Sequence, residues 1–152
     1  DEIFGSMLAR LRKLYPEALV QLELPNPAPL LYVHPALIEQ ALFNVLDNAV
    51  KFSPAASPVT IRATRNQDAL QIDVIDRGLG IPEAERQSVF DRFYTSDRSD
   101  RSGTGLGLTI CQGIVVAHKG NIVALPGENG IGTLIRITLP LDITPADAPK
   151  DE

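Results

Sequence analysis

The run Gly103-Thr-Gly105-Leu-Gly107-Leu constrains the fold of this chain more than any other segment. It opens a stretch of helical periodicity from Thr104 to His118, ended by Gly120. The unpaired N–H groups and positive dipole end of a helix begun this way favour an anion. What precedes it is not a strand: residues 95–102 contain no apolar side chain and read as an exposed loop. A dinucleotide-binding glycine fingerprint follows a strand, and no Gly-x-x-x-x-Gly-Lys-Ser/Thr is present, so neither familiar phosphate-binding architecture accommodates the motif. The fold must instead deliver a helix N-terminus from a polar loop.

Hydrophobic spacing supplies the rest of the frame. Ile3, Met7, Leu8, Leu11 and Leu14 recur at helical intervals, predicting a helix that runs in from an upstream segment and closes at Pro16. Val20–Leu24 alternates and reads as a strand, Leu30–Val33 as a second short one. Pro35 suits the first turn of a helix running to about Phe52, before Pro54. Val59–Arg65 and Leu70–Asp76 form a hairpin split by Asn66-Gln-Asp68, and residues 83–91 a short helix after Pro82. Asn121–Leu125 and Gly132–Leu139 are strands paired across Pro126–Gly130. The pattern predicts an α/β fold, a two-layer α/β sandwich with a mixed sheet and helices on one face. Its expected division is 1–15 as the end of an upstream helical or linker segment, 16–141 as one domain, and 142–152 as a disordered tail.

With 152 residues, 44% of them hydrophobic and 22% charged, the chain is long enough for one core but not two. Its net charge of -5 and the lack of a basic run give no reason to expect nucleic-acid binding, so any polyanion must be held locally. No run of eighteen apolar residues and no signal-peptide pattern occurs, so no direct membrane contact by this fragment is expected. Asp1 is not a natural start residue, which points to a missing upstream part. The single Cys111, within an apolar helical stretch, excludes a disulfide framework and reads as a buried reduced thiol, fitting a cytosolic compartment.

On the 36–52 helix, Asn44, Asp47, Asn48 and Lys51 share one stripe, while Ile38, Leu42, Val45, Leu46 and Ala49 face the other way. A merely solvated face favours Glu, Lys and Arg, whereas asparagines four apart are poor helix formers. Their oxygens are neutral hard ligands suited to a Mg2+ already carrying phosphate oxygens and waters. Asp76 ends a hydrophobic run and opens Gly78-Leu-Gly80, which taken alone is also an ordinary strand-end turn. Phe90 and Phe93 are either core anchors or the base of a loop, and Arg92 and Arg101 are candidates to meet phosphate charge; Arg98 could equally be solvated.

Taken in order, Asn44–Lys51, Asp76–Gly80, Phe90–Phe93 and Gly103–Leu108 resemble the N, G1, F and G2 boxes of the ATP-binding catalytic domain of sensor histidine kinases, within the GHKL superfamily, a resemblance running from Pro16 to Leu141. It implies a Bergerat-type sandwich with an ATP lid over residues 90–102. By that resemblance Asn48 is the principal Mg2+ ligand, Asn44 supports it and Lys51 faces the phosphates. Asp76 accepts the adenine amino proton, with Thr133 nearby, while Gly78 and Gly80 let the backbone approach the base. Gly103, Thr104, Gly105, Leu106, Gly107 and Leu108 form the phosphate-side box. Glu2-Ile-Phe-Gly-Ser through Leu37-Ile-Glu-Gln-Ala-Leu-Phe-Asn44 looks most like the Kdp-type potassium-responsive sensors.

The resemblance implies a protein-histidine kinase, with ATP and Mg2+ as cofactors. It implies transfer of the γ-phosphate to a histidine on an absent dimerisation domain of the same polypeptide, then relay to a response regulator. The full-length protein is expected to be a homodimeric inner-membrane sensor with this part in the cytoplasm. His34 and His118 lie outside any His-Glu/Asp-x-x-x-Pro segment and are not expected to accept phosphate. Two positions depart from the family pattern: Thr95 replaces a common arginine, and His34 a common aspartate. Gyrase-, Hsp90- and MutL-type ATPases place a glutamate four residues before the metal-binding asparagine. Asn44 stands there and cannot act as a general base, which favours kinase over hydrolase. A degenerate nucleotide-binding regulatory module is the remaining alternative.

Overall fold

The structure, a computed structural model, describes residues 2–25, 33–54, 57–90 and 107–141. Five strands form one mixed sheet in the order β1-β2-β3-β5-β4, from β1 (Val20–Glu23), β2 (Val59–Asn66), β3 (Ala69–Ile75), β4 (Asn121–Pro126) and β5 (Thr133–Pro140). β1 pairs with β2 in parallel; all other pairs are antiparallel. Three helices, α1 (Glu2–Leu14), α2 (Pro35–Phe52) and α3 (Gly107–Ala117), complete the layer pair.

Alternation decides which side each strand residue takes. Val59, Ile61, Ile72, Val74, Ile135, Ile137 and Ile122 are buried in the core with the helices. Across the other face Glu23, Arg62, Asp73 and Arg136 lie in register on neighbouring strands. Arg62 pairs with Glu23 at 2.8 Å and Glu128 at 2.6 Å, and the Arg136 guanidinium forks onto both oxygens of Asp73 at 3.0 and 3.2 Å. Ionic cross-strand pairs thus finish the face that no described helix covers.

The apolar face of α1 enters the same core through Phe4, Met7, Leu8 and Leu11, which packs it against α2. α2 carries Pro35 in its first turn, and Ile38, Leu42, Val45, Leu46 and Ala49 are all buried. The stripe Asn44, Asp47, Asn48 and Lys51 stays half-buried, as the spacing predicts.

The structure departs from the expected elements at several places. Residues 83–91 do not make one helix: Glu83–Glu85 and Ser88–Phe90 are separate 3-10 turns. Segments this short close i→i+3 bonds more readily than they nucleate an α-helix. Val33 lies in a bend, and the rest of the strand expected at 30–33 falls outside the described residues, as do the lid and the 142–152 tail. Among the described residues α3 covers Gly107–Ala117, and the 104–106 part of the expected helix lies outside them. The chain leaves α3 through Lys119 in the left-handed region, at φ 64°, rather than through Gly120. Cys111 is fully buried and free, and burial pushes its thiol up to about 12.

Candidate functional site

At the end of β3 the Asp76 carboxylate is buried at 8% exposure, where a strand-end turn would leave it in water. Its Oδ1 accepts the N–H of Gly78 at 2.9 Å and that of Thr133 at 3.2 Å. The Asp76 N–H in turn donates to the Thr133 carbonyl at 2.9 Å, so β3 and the start of β5 clasp each other around the carboxylate. Burial raises the Asp76 pKa above the usual carboxylate range, and the two N–H donors oppose that rise. Its second oxygen accepts no hydrogen bond from the described residues, which leaves it able to receive an external donor.

Glycines frame this carboxylate for a steric reason. Gly80 has φ 81°, and a Cβ there would stand 2.9 Å from the Gly132 carbonyl oxygen. Gly132 has φ 76°, and a Cβ there would run into the Asp76 carbonyl. Both positions combine a left-handed backbone with a close approach that only glycine tolerates. The turn after Asp76 and the start of β5 are thereby packed backbone to backbone beside the carboxylate.

The polar stripe of α2 is tied at both ends. Asn44 Nδ2 donates to the Gly107 carbonyl at 3.2 Å, joining α2 to the first residue of α3. Its Oδ1 accepts from Gln40 Nε2 at 3.0 Å, and Gln40 Oε1 accepts from Arg10 of α1 at 3.3 Å. Arg10 can only donate and a backbone carbonyl can only accept, so both amide orientations are forced along this relay. The Arg10 guanidinium also lies 3.9 Å over the Phe43 ring.

One turn on, Asp47 accepts the Tyr15 hydroxyl at 2.6 Å through Oδ1 and pairs with Lys51 at 3.3 Å through Oδ2. The Tyr15 phenol is pushed up to about 12, chiefly by burial and then by the Asp47 carboxylate it bonds. Asn48, half-buried between Asn44 and Lys51, makes no hydrogen bond with the described residues. Among those residues no cluster of three His, Cys, Asp or Glu side chains could cage a metal. A metal here would need ligands from a bound anion and water, which is how Mg2+ is commonly held, and the Asn48 carboxamide, with no hydrogen bond among the described residues, fits that need.

Phe90 is buried at 5% exposure in the second 3-10 turn, and its carbonyl accepts the Thr109 hydroxyl of α3 at 2.8 Å. Leu108 packs against the core and Gly107 caps the Asn44 relay. Arg92, Phe93, Arg101, Gly103, Thr104, Gly105 and Leu106 lie outside the described residues. The structure therefore joins Asn44 to Gly107, Asp47 to Lys51, Asp76 to Gly78 and Thr133, and Phe90 to α3. No hydrogen bond among the described residues links the Asp76 group to the α2 stripe.

Arg10, Tyr15, Gln40 and Thr109 belong to the site's support but carry no motif. Only the half-buried positions of Gln40 and Thr109 beside motif residues could have drawn attention to them. Both His118 ring nitrogens are engaged: Nδ1 lies 2.8 Å from the Ile114 carbonyl oxygen, and Nε2 accepts the His34 N–H at 3.1 Å.

Comparison with known proteins places this geometry. A family model described as histidine kinase-, DNA gyrase B- and HSP90-like ATPase matches residues 33–143. The sensor protein KdpD of Escherichia coli strain K12 is 38% identical over 146 residues, 95% of this chain and 16% of that protein. The mycobacterial sensor histidine kinase MprB matches at TM-score 0.85 and 30% identity, over 92% of this chain and 94% of that one. The ATP binding domain of PrrB from Mycobacterium tuberculosis matches at TM-score 0.74 and 28% identity, over 93% of both chains.

Proposed function

We propose, from the premise that this chain belongs to the histidine kinase-, DNA gyrase B- and HSP90-like ATPase family as the ATP-binding catalytic domain of a sensor histidine kinase, that it presents the γ-phosphate of ATP to a histidine on dimerisation helices of the same polypeptide. The observation that carries the reading is Asp76: a buried carboxylate with one oxygen anchored by two backbone N–H groups and the other without a hydrogen bond from the described residues, beside glycines packed backbone to backbone. That arrangement suits the amino group of adenine lying flat against glycine backbone.

Lys51 and the N–H groups at the start of α3 bind the phosphates, and Asn44 keeps α2 and that helix start in fixed relation. Asn48 would hold Mg2+, which would supply neutralisation of the phosphate charge. In the transfer the bond between the γ-phosphorus and the bridging oxygen of ADP breaks as a bond to the acceptor imidazole nitrogen forms. The domain's part is alignment and electrostatics rather than covalent chemistry. Neither resident histidine suits the acceptor role, because both His118 nitrogens are engaged and His34, at the N-cap position of α2, lies outside any His-Glu/Asp-x-x-x-Pro segment. Relay to a response regulator and a place in the cytoplasmic part of a homodimeric inner-membrane sensor complete the reading. Among the described residues no helix is long and apolar enough to cross a membrane.

Calorimetric titration of the chain with ATP and ADP, with and without Mg2+, tests it. Saturable binding of both, strengthened by Mg2+, is expected; no saturable binding of either nucleotide overturns the proposal.

A further inference from the structure

Tyr15 follows α1 directly, and its N–H continues the helical ladder to the Leu11 carbonyl at 2.8 Å. Its ring packs against the core, so the hydroxyl is carried on a fixed support. That hydroxyl donates at 2.6 Å to Oδ1 of Asp47, and Oδ2 of the same carboxylate faces Lys51 Nζ at 3.3 Å. The two oxygens are thereby divided between two partners. A carboxylate held at neither oxygen turns about its last torsion, and an i,i+4 ion pair left to itself is a weak restraint. Pinning Oδ1 from outside the helix fixes where Oδ2 lies, and with it the position of the lysine.

We propose that Tyr15 is a positioning residue for the nucleotide phosphates, acting through Asp47 to hold Lys51 in place. The proposal rests on the reading that Lys51 meets those phosphates. Two effects of losing the hydroxyl point the same way. With Oδ1 free, the carboxylate swings and the ammonium loses its orientation. With its charge no longer shared with a donor, Asp47 also competes harder with phosphate for Lys51. Either effect weakens the binding of ATP, while the apolar packing of the ring remains available to phenylalanine.

The test is a double-mutant cycle on ATP affinity in the presence of Mg2+, using the parent chain, Tyr15→Phe, Lys51→Met and the double variant. Tyr15→Phe is expected to weaken ATP about fivefold, a coupling of ordinary size within one hydrogen-bonded charge network. Lys51→Met should weaken it more, and the double variant should bind no more weakly than Lys51→Met alone. A merely structural Tyr15 would instead cost affinity to the same degree whether or not the lysine is present. If Lys51→Met leaves ATP binding unchanged, the phosphate role of Lys51 fails and the relay with it. If Lys51→Met weakens binding but Tyr15→Phe has no effect on the parent, or adds its full loss in the lysine-less background, the relay alone is overturned.

Discussion

Replacing Asp76 with asparagine should pull stability and affinity in opposite directions. Burial raises the Asp76 pKa against the two N–H groups that hold its Oδ1. A carboxyl raised in the folded state keeps a proton that the unfolded chain has already released. The unliganded domain therefore loses stability as pH rises from the ordinary aspartate range through that raised value. Asparagine still offers one oxygen to the N–H groups of Gly78 and Thr133 but brings no charge to desolvate. The Asp76→Asn variant should therefore melt no lower than the parent at neutral pH, and lose the pH dependence of that window. Its second position becomes an NH2 group, which faces the amino group of adenine donor to donor. Losing a hydrogen bond to a charged acceptor costs about 1.5–3 kcal/mol, which is about 10- to 150-fold in Kd. ATP and ADP share the base and should lose affinity equally, whereas GTP should bind the parent poorly because its exocyclic oxygen opposes the carboxylate. Scanning calorimetry across pH, with titration of the three nucleotides, reads both effects. Unchanged ATP affinity in the variant refutes the base contact, and a lower melting temperature at neutral pH refutes the desolvation argument.

The α2 stripe gives two further expectations. Asn48→Ala should remove most Mg2+-dependent affinity in titrations while shifting stability by no more than about 0.5 kcal/mol, because the side chain makes no hydrogen bond with the described residues. Asn44→Asp should destabilise the fold by about 1–3 kcal/mol in denaturant melts, since a carboxylate oxygen would face the Gly107 carbonyl now 3.2 Å from Asn44 Nδ2; a variant as stable as the parent removes that clamp from the account. Incubated alone with labelled ATP, the chain should form no stable phosphohistidine and should hydrolyse ATP slowly; labelling that disappears in His118→Gln would contradict the engagement of both His118 nitrogens.

How far the site is legible in sequence depends on the range of the contacts. The α2 stripe follows from helical period alone, and the burial of Ile38, Leu42, Val45, Leu46 and Ala49 opposite it is the same fact read from the other side. Asp76 is legible only through the order and spacing of the four motifs, because a carboxylate and spaced glycines at a strand end are also an ordinary turn. The partners that hold these groups in place leave no such trace. Tyr15 meets Asp47 across 32 residues, Arg10 meets Gln40 across 30, and Thr109 meets the Phe90 carbonyl across 19. None of these side chains is unusual in its own window, because only the packing of α1 on α2, and of α3 on the Ser88–Phe90 turn, makes them neighbours. The 83–91 segment misleads for the complementary reason: its composition suits a helix, but two short turns satisfy its backbone with less ordering.

Asn44 and Asn48 are one residue type repeated four positions apart, and the structure gives them different work. Asn44 uses both ends of its amide, accepting from Gln40 and donating to Gly107, so its orientation is fixed before any ligand arrives. Asn48 makes no hydrogen bond with the described residues, and on the proposed reading its oxygen would meet the ion. The glutamate that related ATPases carry in the first position would give Gln40 an acceptor but offer nothing to the Gly107 carbonyl. Converting this site into a hydrolase would therefore take more than supplying a base, because the start of α3 would have to find a new tie to α2. The same amide that cannot serve as a general base joins the two helices, so on the proposed reading slow hydrolysis and the placing of the phosphate end would come from one side chain.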